Sequence, residues 1–343
     1  MRALLVTAPD KLEIRDVPVP EMAPWEALVR IEAASICNST DVKILKREFV
    51  SSIPLPLVLG HESVGTVVKV GSAVTRYRLG DRVLRAGAYY APEVGINSAW
   101  GAFAEYGLVT DPDAWLTAHP GGNVGGQWQA QQIVPPEIPP AEATALINLK
   151  ETLSSAKAAG INADTWVAIV GTGPVARGMC YWAHWLRAPF LVVFGRHERH
   201  CHDFLDLGAN YYMAGDQPCA VSEVKIAGKH AFDRVIEAVG SQQALEDALT
   251  LVRPDGLIAN YGVAQESDPP TAAVQEARAA GRIFDIAVRE QDEHETVLEC
   301  VRKGELDLRK WITDVLPFER AQEAFDLVRN KRSLKAVLTF NQG

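Results

Sequence analysis

The chain has 343 residues, of which 48% are hydrophobic, and carries a formal net charge of −9 at pH 7. This length exceeds that of most single hydrophobic cores, so the sequence predicts two domains. The acidic balance argues against a nucleic-acid partner, because binding to phosphates needs a clustered basic surface. No stretch approaches the roughly 18 apolar residues of a membrane span, and the amino-terminal apolar run is too short for a signal peptide.

The first 140 residues have the pattern of short strands separated by turns. The strand patterns are Ala3–Thr7, Leu12–Asp16, Ala27–Ala33, Gly80–Val83 and Gly101–Tyr106. No stripe of apolar residues with helical spacing occurs before the middle of the chain. This half predicts a glycine-rich, mainly β, barrel-like domain. Residues 119–140, which are rich in Gly, Gln and Pro, predict an irregular connection.

From about Ala141 the pattern changes to alternating helices and strands. A helix is predicted over Ala141–Ala159 with Gly160 as its stop, and the apolar run Trp166–Val170 predicts a buried strand. The alternation continues over Phe190–Phe194, Asp203–Leu207, Arg234–Ala238, Ala244–Val252, Leu257–Tyr261 and Ile283–Val288. It implies βαβ units and a doubly wound parallel sheet.

The end of the chain is predicted to return to the first domain, through a helix over Glu293–Lys303 and a strand over Ala336–Phe340. The predicted α/β protein therefore has a first domain over 1–148, a nucleotide-binding domain over 149–290 and a return segment over 291–343. The five cysteines are odd in number and scattered, at positions 37, 180, 201, 219 and 300. They do not suggest a disulfide framework, which favours a reducing, cytoplasmic location.

A nucleotide-binding motif follows the strand Trp166–Val170. It reads Gly171-Thr172-Gly173-Pro174-Val175-Ala176 and opens a helical pattern over Arg177–Leu186. The tight turn, the approach of backbone to a pyrophosphate and the contact between helix and strand each need a small residue. The helix N-terminus would offer free N–H groups to the phosphates. Gly171, Gly173, Pro174, Val175 and Ala176 are therefore the predicted cofactor-binding residues.

The next strand indicates which dinucleotide binds. An NAD-binding chain places Asp or Glu at the end of this strand to bond the ribose hydroxyls, whereas here the strand ends in Gly195-Arg196-His197. Arg196 can bond a 2′-phosphate that an acid would repel, so Gly195 and Arg196 favour NADP(H). Glu198 leaves NAD open. A cluster of His197, His200, Cys201 and His202 is interpreted as a solvated helical turn rather than a second metal site.

A second motif predicts a metal. Cys37 lies 24 positions before His61, which belongs to Gly60-His61-Glu62-x-x-Gly65-x(5)-Gly71-x-x-Val74. Thiolate, imidazole and carboxylate are ligand types of a catalytic zinc. Gly65 and Gly71 interrupt a valine-rich strand pattern, as glycines do at bulges or close backbone approaches. The pattern resembles the zinc signature of medium-chain alcohol and polyol dehydrogenases, and the resemblance extends over essentially the whole chain.

The resemblance implies a GroES-like catalytic domain, a Rossmann domain and one catalytic zinc. It implies hydride transfer between NADP(H) or NAD(H) and a small-molecule alcohol or carbonyl substrate. In these relatives the first zinc ligand belongs to a Cys-x-Ser/Thr-Asp run, and the Ser or Thr bonds the substrate alcohol and relays its proton. Here the run is Cys37-Asn38-Ser39-Thr40-Asp41. Ser39 keeps its place, whereas Asp41 comes one position late and its supporting role stays open.

The third zinc ligand is left open between two carboxylates. The family supplies a Cys, Asp or Glu just before the nucleotide-binding domain, but an ungapped count from Gly171 falls on Ile147 or Asn148. Glu151 lies one helical turn further along, and Glu62 is adjacent to His61. By the same resemblance, Lys335 matches a basic position that reaches the cofactor pyrophosphate.

Many relatives also hold a structural zinc in a lobe with four cysteines. The corresponding stretch, Val83–Ala104, contains no cysteine, so no structural zinc is expected. Tyr89, Tyr90 and Trp100 in this stretch are candidates either for the substrate mouth or for ordinary packing. The missing lobe and the carboxylates near the metal resemble the polyol branch, which implies a polyol, sugar or cyclitol substrate.

Three further expectations complete the sequence-based picture. The strand pattern Arg282–Val288 corresponds to a strand that pairs across a two-fold axis in relatives, which implies a homodimer or homotetramer. One alternative function is a zinc-free enone or quinone reductase of the same superfamily, favoured by the displaced Asp41 and the uncertain third ligand. The other is a non-catalytic nucleotide-binding redox sensor.

Overall fold

The structure, a computed structural model, describes residues 1–215, 232–262 and 268–340. The chain divides into two compact units, Met1–Ile147 with His294–Gly343, and Asn148–Glu293. The sequence predicted divisions after residues 148 and 290. Four cysteines are free thiols in the structure, at positions 37, 180, 201 and 300, whereas Cys219 lies outside the described residues.

The first unit is built on two sheets. One has the order β2-β1-β4-β7 and the other β16-β17-β3-β5-β6-β9, with β8 also paired to β3. Their strands are β1 (Arg2–Ala8), β2 (Lys11–Asp16), β3 (Glu26–Ser35), β4 (Leu57–Val58), β5 (Glu62–Val70), β6 (Arg82–Leu84), β7 (Asn97–Ser98), β8 (Tyr106–Thr110), β9 (Ile133–Val134), β16 (Asp314–Pro317) and β17 (Ala336–Thr339).

Two glycines of the metal motif allow β5 to pack closely. A Cβ on Gly65 would lie 2.4 Å from the carbonyl oxygen of Arg30 in β3, and one on Gly71 would lie 2.4 Å from that of Pro24. The β3–β5 pairing also shifts register between Ile31 and Ala33. The predicted close backbone approach at Gly65 and Gly71 is confirmed.

Short helices accompany these sheets. They are α1 (Asp41–Leu45), α2 (Pro112–Ala118), α3 (Gly126–Gln129), α4 (Pro140–Ala143), α10 (His294–Arg302) and α11 (Ala321–Arg329). α11 buries Ala321, Ala324, Phe325 and Val328, the spacing of one helical face. This face joins a hydrophobic core that also contains Val29, Ile31, Val67 and Phe103.

The second unit contains a parallel sheet of the doubly wound type. In the described residues its order is β12-β11-β10-β13-β14-β15, with every neighbouring pair parallel. The strands are β10 (Trp166–Val170), β11 (Phe190–Gly195), β12 (Tyr211–Ala214), β13 (Phe232–Glu237), β14 (Val252–Asn260) and β15 (Ile283–Asp285). The order in which strands are added to the sheet reverses at β10: β11 and β12 lie on one side of it, and β13, β14 and β15 lie on the other. Sheets of this type bind ligands at this point, beyond the carboxyl ends of the strands.

The helices of this region are α5 (Ala145–Ala158), which begins in the first unit, α6 (Pro174–Trp185), α7 (Cys201–Asp206), α8 (Gln242–Leu251) and α9 (Ala272–Ala279). Trp166–Val170 is a strand as predicted, and Gly160 has a φ of 72° just after α5, as expected of a helix stop. The nucleotide-binding helix begins at Pro174, three residues before the predicted pattern at Arg177.

Several predicted elements were wrong in extent. The helix predicted over Ala141–Ala159 is split at Thr144, whose hydroxyl donates to the carbonyl of Ala141, because a threonine side chain competes for the local backbone. The strand predicted over Ile283–Val288 ends at Asp285, since its partner β14 ends at Asn260. Residues 119–140, predicted as irregular, contain α3 and β9.

The strand predicted over Gly101–Tyr106 begins only at its last residue. Trp100 and Gly101 have φ values of 64° and 72°, which an extended strand cannot accommodate. Helices α9 and α11 and strand β16 had no counterpart among the predicted elements.

Candidate metal and cofactor sites

Cys37, His61 and Glu62 come together in the first unit. Their ligand atoms all lie within 4.8 Å of one another, and they form the one such group of three found in the described part of the chain. The sheet explains this placement: β3 and β5 are antiparallel, with Ser35 opposite Glu62. Cys37 therefore leaves the end of β3 beside the point where His61 enters β5.

Asp41 supports two members of this group. It is the first residue of α1 and is fully buried. One carboxylate oxygen accepts a hydrogen bond from the backbone N–H of Cys37 at 2.8 Å, and the other lies 3.4 Å from Nδ1 of His61. The one-residue displacement of Asp41 in the motif therefore does not remove it from the imidazole.

The orientation of the imidazole selects its ligand atom. Nδ1 of His61 faces Asp41, whereas Nε2 lies 3.9 Å from Glu62. An acceptor at Nδ1 favours the tautomer that is protonated there, so the Nε2 lone pair is free to bind a metal. Burial by itself lowers the pKa of His61, but Asp41 and Cys37 outweigh it and hold the pKa well above its ordinary value. A proton on this imidazole must leave when a metal binds, so a metal and a proton compete for it.

Glu62 is held ionised by two partners. The Ser35 hydroxyl and the Lys335 ammonium both donate to its Oε2. Burial raises the pKa of Glu62, but the charges of Lys335 and His61 outweigh burial and hold that pKa below its ordinary value. The cluster thus offers a thiol, an imidazole and an ionised carboxylate close to one another, and buried Asp41 lies beside the imidazole. These groups fit a zinc ion.

The family resemblance matched Lys335 to a basic position that reaches the cofactor pyrophosphate in relatives. In the structure it precedes β17, is 2% exposed and directs its ammonium group to Glu62. Lys335 is therefore a buried residue and not an accessible one. Its contact with the cofactor stays a prediction. No sequence pattern connected Lys335 or Ser35 with Glu62, because the contacts depend on the pairing of β17 and β5 with β3.

Two residues of the stretch that lacks cysteines lie beside His61. The Trp100 ring centroid is 5.5 Å from that of His61, and Nη1 of Arg85 donates to the His61 carbonyl at 3.0 Å. Arg85 was missed by sequence reasoning. Of the other aromatic candidates, Tyr90 donates to the carbonyl of Pro18, and burial raises the pKa of Tyr89 to about 12.

The remaining predicted catalytic residues lie outside the cluster. Ser39 occupies the turn before α1 and is half-buried. Glu151 belongs to α5 in the second unit, where the Tyr261 hydroxyl donates to its carboxylate at 3.2 Å. The structure groups Glu62 with Cys37 and His61, and a role for Glu151 at the metal stays a prediction. Within the described residues, His197, His200, Cys201 and His202 form no comparable group.

The nucleotide-binding turn has the predicted form. Gly171 has a φ of 128°, which favours glycine, and its N–H donates to the carbonyl of Phe194 at 2.9 Å. Gly173 precedes the first residue of α6, Pro174, and a Cβ on Gly173 would meet nothing within 4 Å. Ala176 is fully buried. The open space at Gly173 and the free N–H groups of α6 fit a pyrophosphate.

The chain is similar to known proteins in both of its units. Residues 23–120 match the alcohol dehydrogenase GroES-like domain family, and residues 174–303 match the zinc-binding dehydrogenase family. An alcohol dehydrogenase of Cupriavidus necator is 27% identical over 97% of this chain and 96% of the relative. A sorbitol dehydrogenase of Bombyx mori is 26% identical over 98% of this chain and 97% of the relative.

The fold has a close counterpart among solved structures. Alcohol dehydrogenase TADH from Thermus sp. ATN1 superposes with a TM-score of 0.78 at 26% identity, covering 99% of this chain and 100% of that one. The first unit is therefore GroES-like and the second is a Rossmann domain. The chain belongs to the zinc-dependent alcohol dehydrogenase-like branch of the medium-chain dehydrogenase/reductase superfamily of oxidoreductases. No helix in the described ranges is long and apolar enough to cross a membrane.

Proposed function

We propose that the chain is a zinc-dependent dehydrogenase that transfers a hydride between NADP(H) and a polyol, sugar or cyclitol, or the corresponding carbonyl compound. The observation that carries this proposal is the grouping of Cys37, His61 and Glu62 with their ligand atoms within 4.8 Å. Buried Asp41 beside His61 adds the support that metal-binding histidines need.

The residues of the metal cluster and their neighbours divide into metal ligands, residues that orient the ligands, and a proton acceptor. Cys37, His61 and Glu62 would hold a zinc ion, and the zinc would supply Lewis-acid polarisation of the substrate oxygen. Asp41 orients His61, and Ser35 and Lys335 orient Glu62. Ser39, two positions after Cys37, accepts the proton of the substrate hydroxyl.

The second unit would hold the cofactor. The Gly171–Ala176 turn and the N-terminus of α6 bind the pyrophosphate. A nicotinamide supplies the acceptor for the hydride that leaves the substrate carbon. Arg196, exposed after β11, binds the 2′-phosphate and gives the preference for NADP(H). Arg196→Ala should raise KM for NADP and leave KM for NAD almost unchanged.

The polyol branch is supported by the metal cluster itself. Glu62 adds a carboxylate to Cys37 and His61, and Val83–Ala104 contains no cysteine for a structural zinc. Relatives that match nearly the whole chain include the sorbitol dehydrogenases of Bombyx mori and Gallus gallus. One catalytic zinc per chain is therefore the expected metal content.

The zinc-free reductase was favoured by a displaced Asp41 and an uncertain third ligand. Asp41 lies beside His61, and Glu62 lies within ligand reach of Cys37 and His61, so both grounds are weakened. The non-catalytic alternative differs from the proposal in binding a dinucleotide without turning over any alcohol.

Metal analysis and turnover test the proposal together. Protein purified with zinc should contain one zinc per chain and oxidise secondary alcohols with NADP. Cys37→Ser should lose the zinc and nearly all activity while keeping its circular dichroism spectrum. Cys201→Ser, which changes a cysteine on α7, is the control and should keep both. Two zincs, no zinc, or full activity in Cys37→Ser would contradict the proposal.

A further inference from the structure

We propose that Tyr212 is a specificity-determining residue for the cofactor. Its hydroxyl occupies the space that a ribose-binding acid at position 195 would need, and it also holds the segment that carries Arg196. This inference rests on the NADP(H) preference of the proposed function and supplies the structural cause of that preference.

Gly195 is the last residue of β11, where an NAD-binding chain carries its acid. A Cβ at this position would lie 2.0 Å from the hydroxyl oxygen of Tyr212 and 2.5 Å from Cγ2 of Thr172. Both distances are below the 3.0 Å that real Cβ atoms essentially never cross. The φ of Gly195 is not in the left-handed region, so the glycine is required by space and not by backbone conformation. An Asp or Glu fits only if the Tyr212 side chain moves and the Thr172 methyl group turns aside.

Tyr212 is fixed from three directions. Its backbone belongs to β12, where it is paired with Val193 of β11. Its ring stacks on that of the fully buried Phe204, with centroids 5.7 Å apart and planes 21° apart. Its hydroxyl donates to the carbonyl of His197 at 2.7 Å. A ring held at its base, face and tip does not swing aside at low cost.

The same hydrogen bond organises the segment that follows β11. Tyr212 holds the carbonyl of His197, and the N–H of Gly215 donates to the carbonyl of Gly195 at 2.7 Å. Arg196 lies between these two anchored residues. A fixed backbone lowers the entropy lost when the arginine side chain binds a phosphate. Tyr212 therefore disfavours NAD by excluding an acid and favours NADP(H) by positioning Arg196.

A purely structural role for Tyr212 predicts a different result from substitution. Loss of packing would weaken both cofactors equally, whereas a specificity role changes their ratio. Dissociation constants for NADP⁺ and NAD⁺, measured by isothermal titration calorimetry, separate these outcomes without any need for catalysis. The variants are Tyr212→Phe, Tyr212→Ala, Gly195→Asp and the double variant Gly195→Asp with Tyr212→Ala. Tyr211→Ala, which changes the exposed neighbouring tyrosine, is the control.

Tyr212→Phe should weaken NADP⁺ by about 3- to 10-fold, the effect of ordering one flexible side chain on binding once Arg196 is no longer held in place, and should leave NAD⁺ unchanged. Gly195→Asp alone should bind neither cofactor better than the wild type. The double variant should bind NAD⁺ at least about tenfold more tightly than Gly195→Asp. Removal of the Tyr212 ring leaves only the Thr172 methyl group to rotate aside, and the carboxylate can then form charge-assisted hydrogen bonds to the ribose. Tyr211→Ala should match the wild type.

Two outcomes would overturn the inference. One is a Gly195→Asp variant that gains NAD⁺ affinity equally with and without Tyr212. The other is a Tyr212→Phe variant that changes both cofactors by the same factor or neither. The wild-type titration separates failure of the proposed function: no binding of either dinucleotide contradicts the proposed activity itself, and tighter binding of NAD⁺ contradicts the preference on which the inference rests.

Discussion

Lys335 and Glu62, 273 positions apart in the sequence, form a buried ion pair in which both side chains are 2% exposed. Lys335 immediately precedes β17, which pairs with one side of β3. Glu62 is the first residue of β5, which pairs with the other side of β3. The pair thus connects the return segment of the chain to the metal cluster. Removing one partner of such a pair leaves an uncompensated charge away from water.

Lys335→Met should therefore destabilise the metal-free protein by about 3–5 kcal/mol, the usual cost of breaking a buried pair. The free energy of unfolding in urea measures this cost. Lys303→Met is the matched control, because Lys303 is 56% exposed in its pair with Glu299 and should cost less than about 1 kcal/mol. Equal losses in the two variants would contradict a compensating role for Lys335.

The same pair gives a pH dependence with a defined sign. The pKa of Glu62 is lowered in the folded protein, so its contribution to stability is present above the ordinary glutamate pKa of about 4.3 and is lost as pH falls through the lower folded value. In Lys335→Met the larger of the two charges that lower this pKa is gone, so the pKa of Glu62 lies higher than in the wild type and the variant loses less stability on acidification. The difference in unfolding free energy between wild type and variant should shrink as pH is lowered through about 4.

Asp41 provides a test of metal support. Asp41→Asn removes the charge beside Nδ1 of His61 while keeping the size of the side chain, and should weaken zinc binding by about 10- to 100-fold. Competition with a chelator measures the zinc dissociation constant. Asp113→Asn, at an exposed position on α2, should leave it unchanged. A zinc affinity in Asp41→Asn equal to that of the control would show that Asp41 serves only to bond the backbone of Cys37.

Glu151 tests which carboxylate completes the zinc site. If it supports the metal, Glu151→Gln should lower kcat/KM by about 10- to 100-fold and shift the pH–rate profile. Glu137→Gln, at an exposed position, is the control. Wild-type rates with full zinc occupancy in Glu151→Gln would leave Cys37, His61 and Glu62 as the ligand set.

Oligomerisation is predicted from the edge of the parallel sheet. In the described part of the chain, β15 is the terminal strand and pairs only with β14, so its outer backbone groups are available to a second copy. Light scattering at micromolar concentration should give at least twice the chain mass of 37.4 kDa. Ala287→Pro, just beyond β15, should favour the monomer because proline cannot donate to a ladder, whereas Ala287→Ser should not. A monomeric wild type would rule the pairing out.

The local sequence determined much of this protein. The short apolar run Trp166–Val170 has the composition of a buried parallel strand, and the glycines of Gly171–Ala176 are needed where a strand turns sharply into a helix. Cys37, His61 and the glycines around His61 predicted a zinc site through their resemblance to a known family, with the third ligand left open between Glu62 and Glu151. These features depend on residues close together along the chain, or on residue types with few alternative uses.

Only the tertiary structure decided which residues support the site. Lys335 and Ser35 meet at Glu62 through strand pairing, and Tyr212 reaches Gly195 because β12 lies beside β11. The same holds for Asp41, whose supporting role the motif left open and whose carboxylate lies beside His61 in the structure. Contacts between neighbouring strands depend on register and on side-chain direction. Register and side-chain direction leave no periodic pattern in the sequence, because each of the two contacting segments by itself has the composition of an ordinary strand or turn.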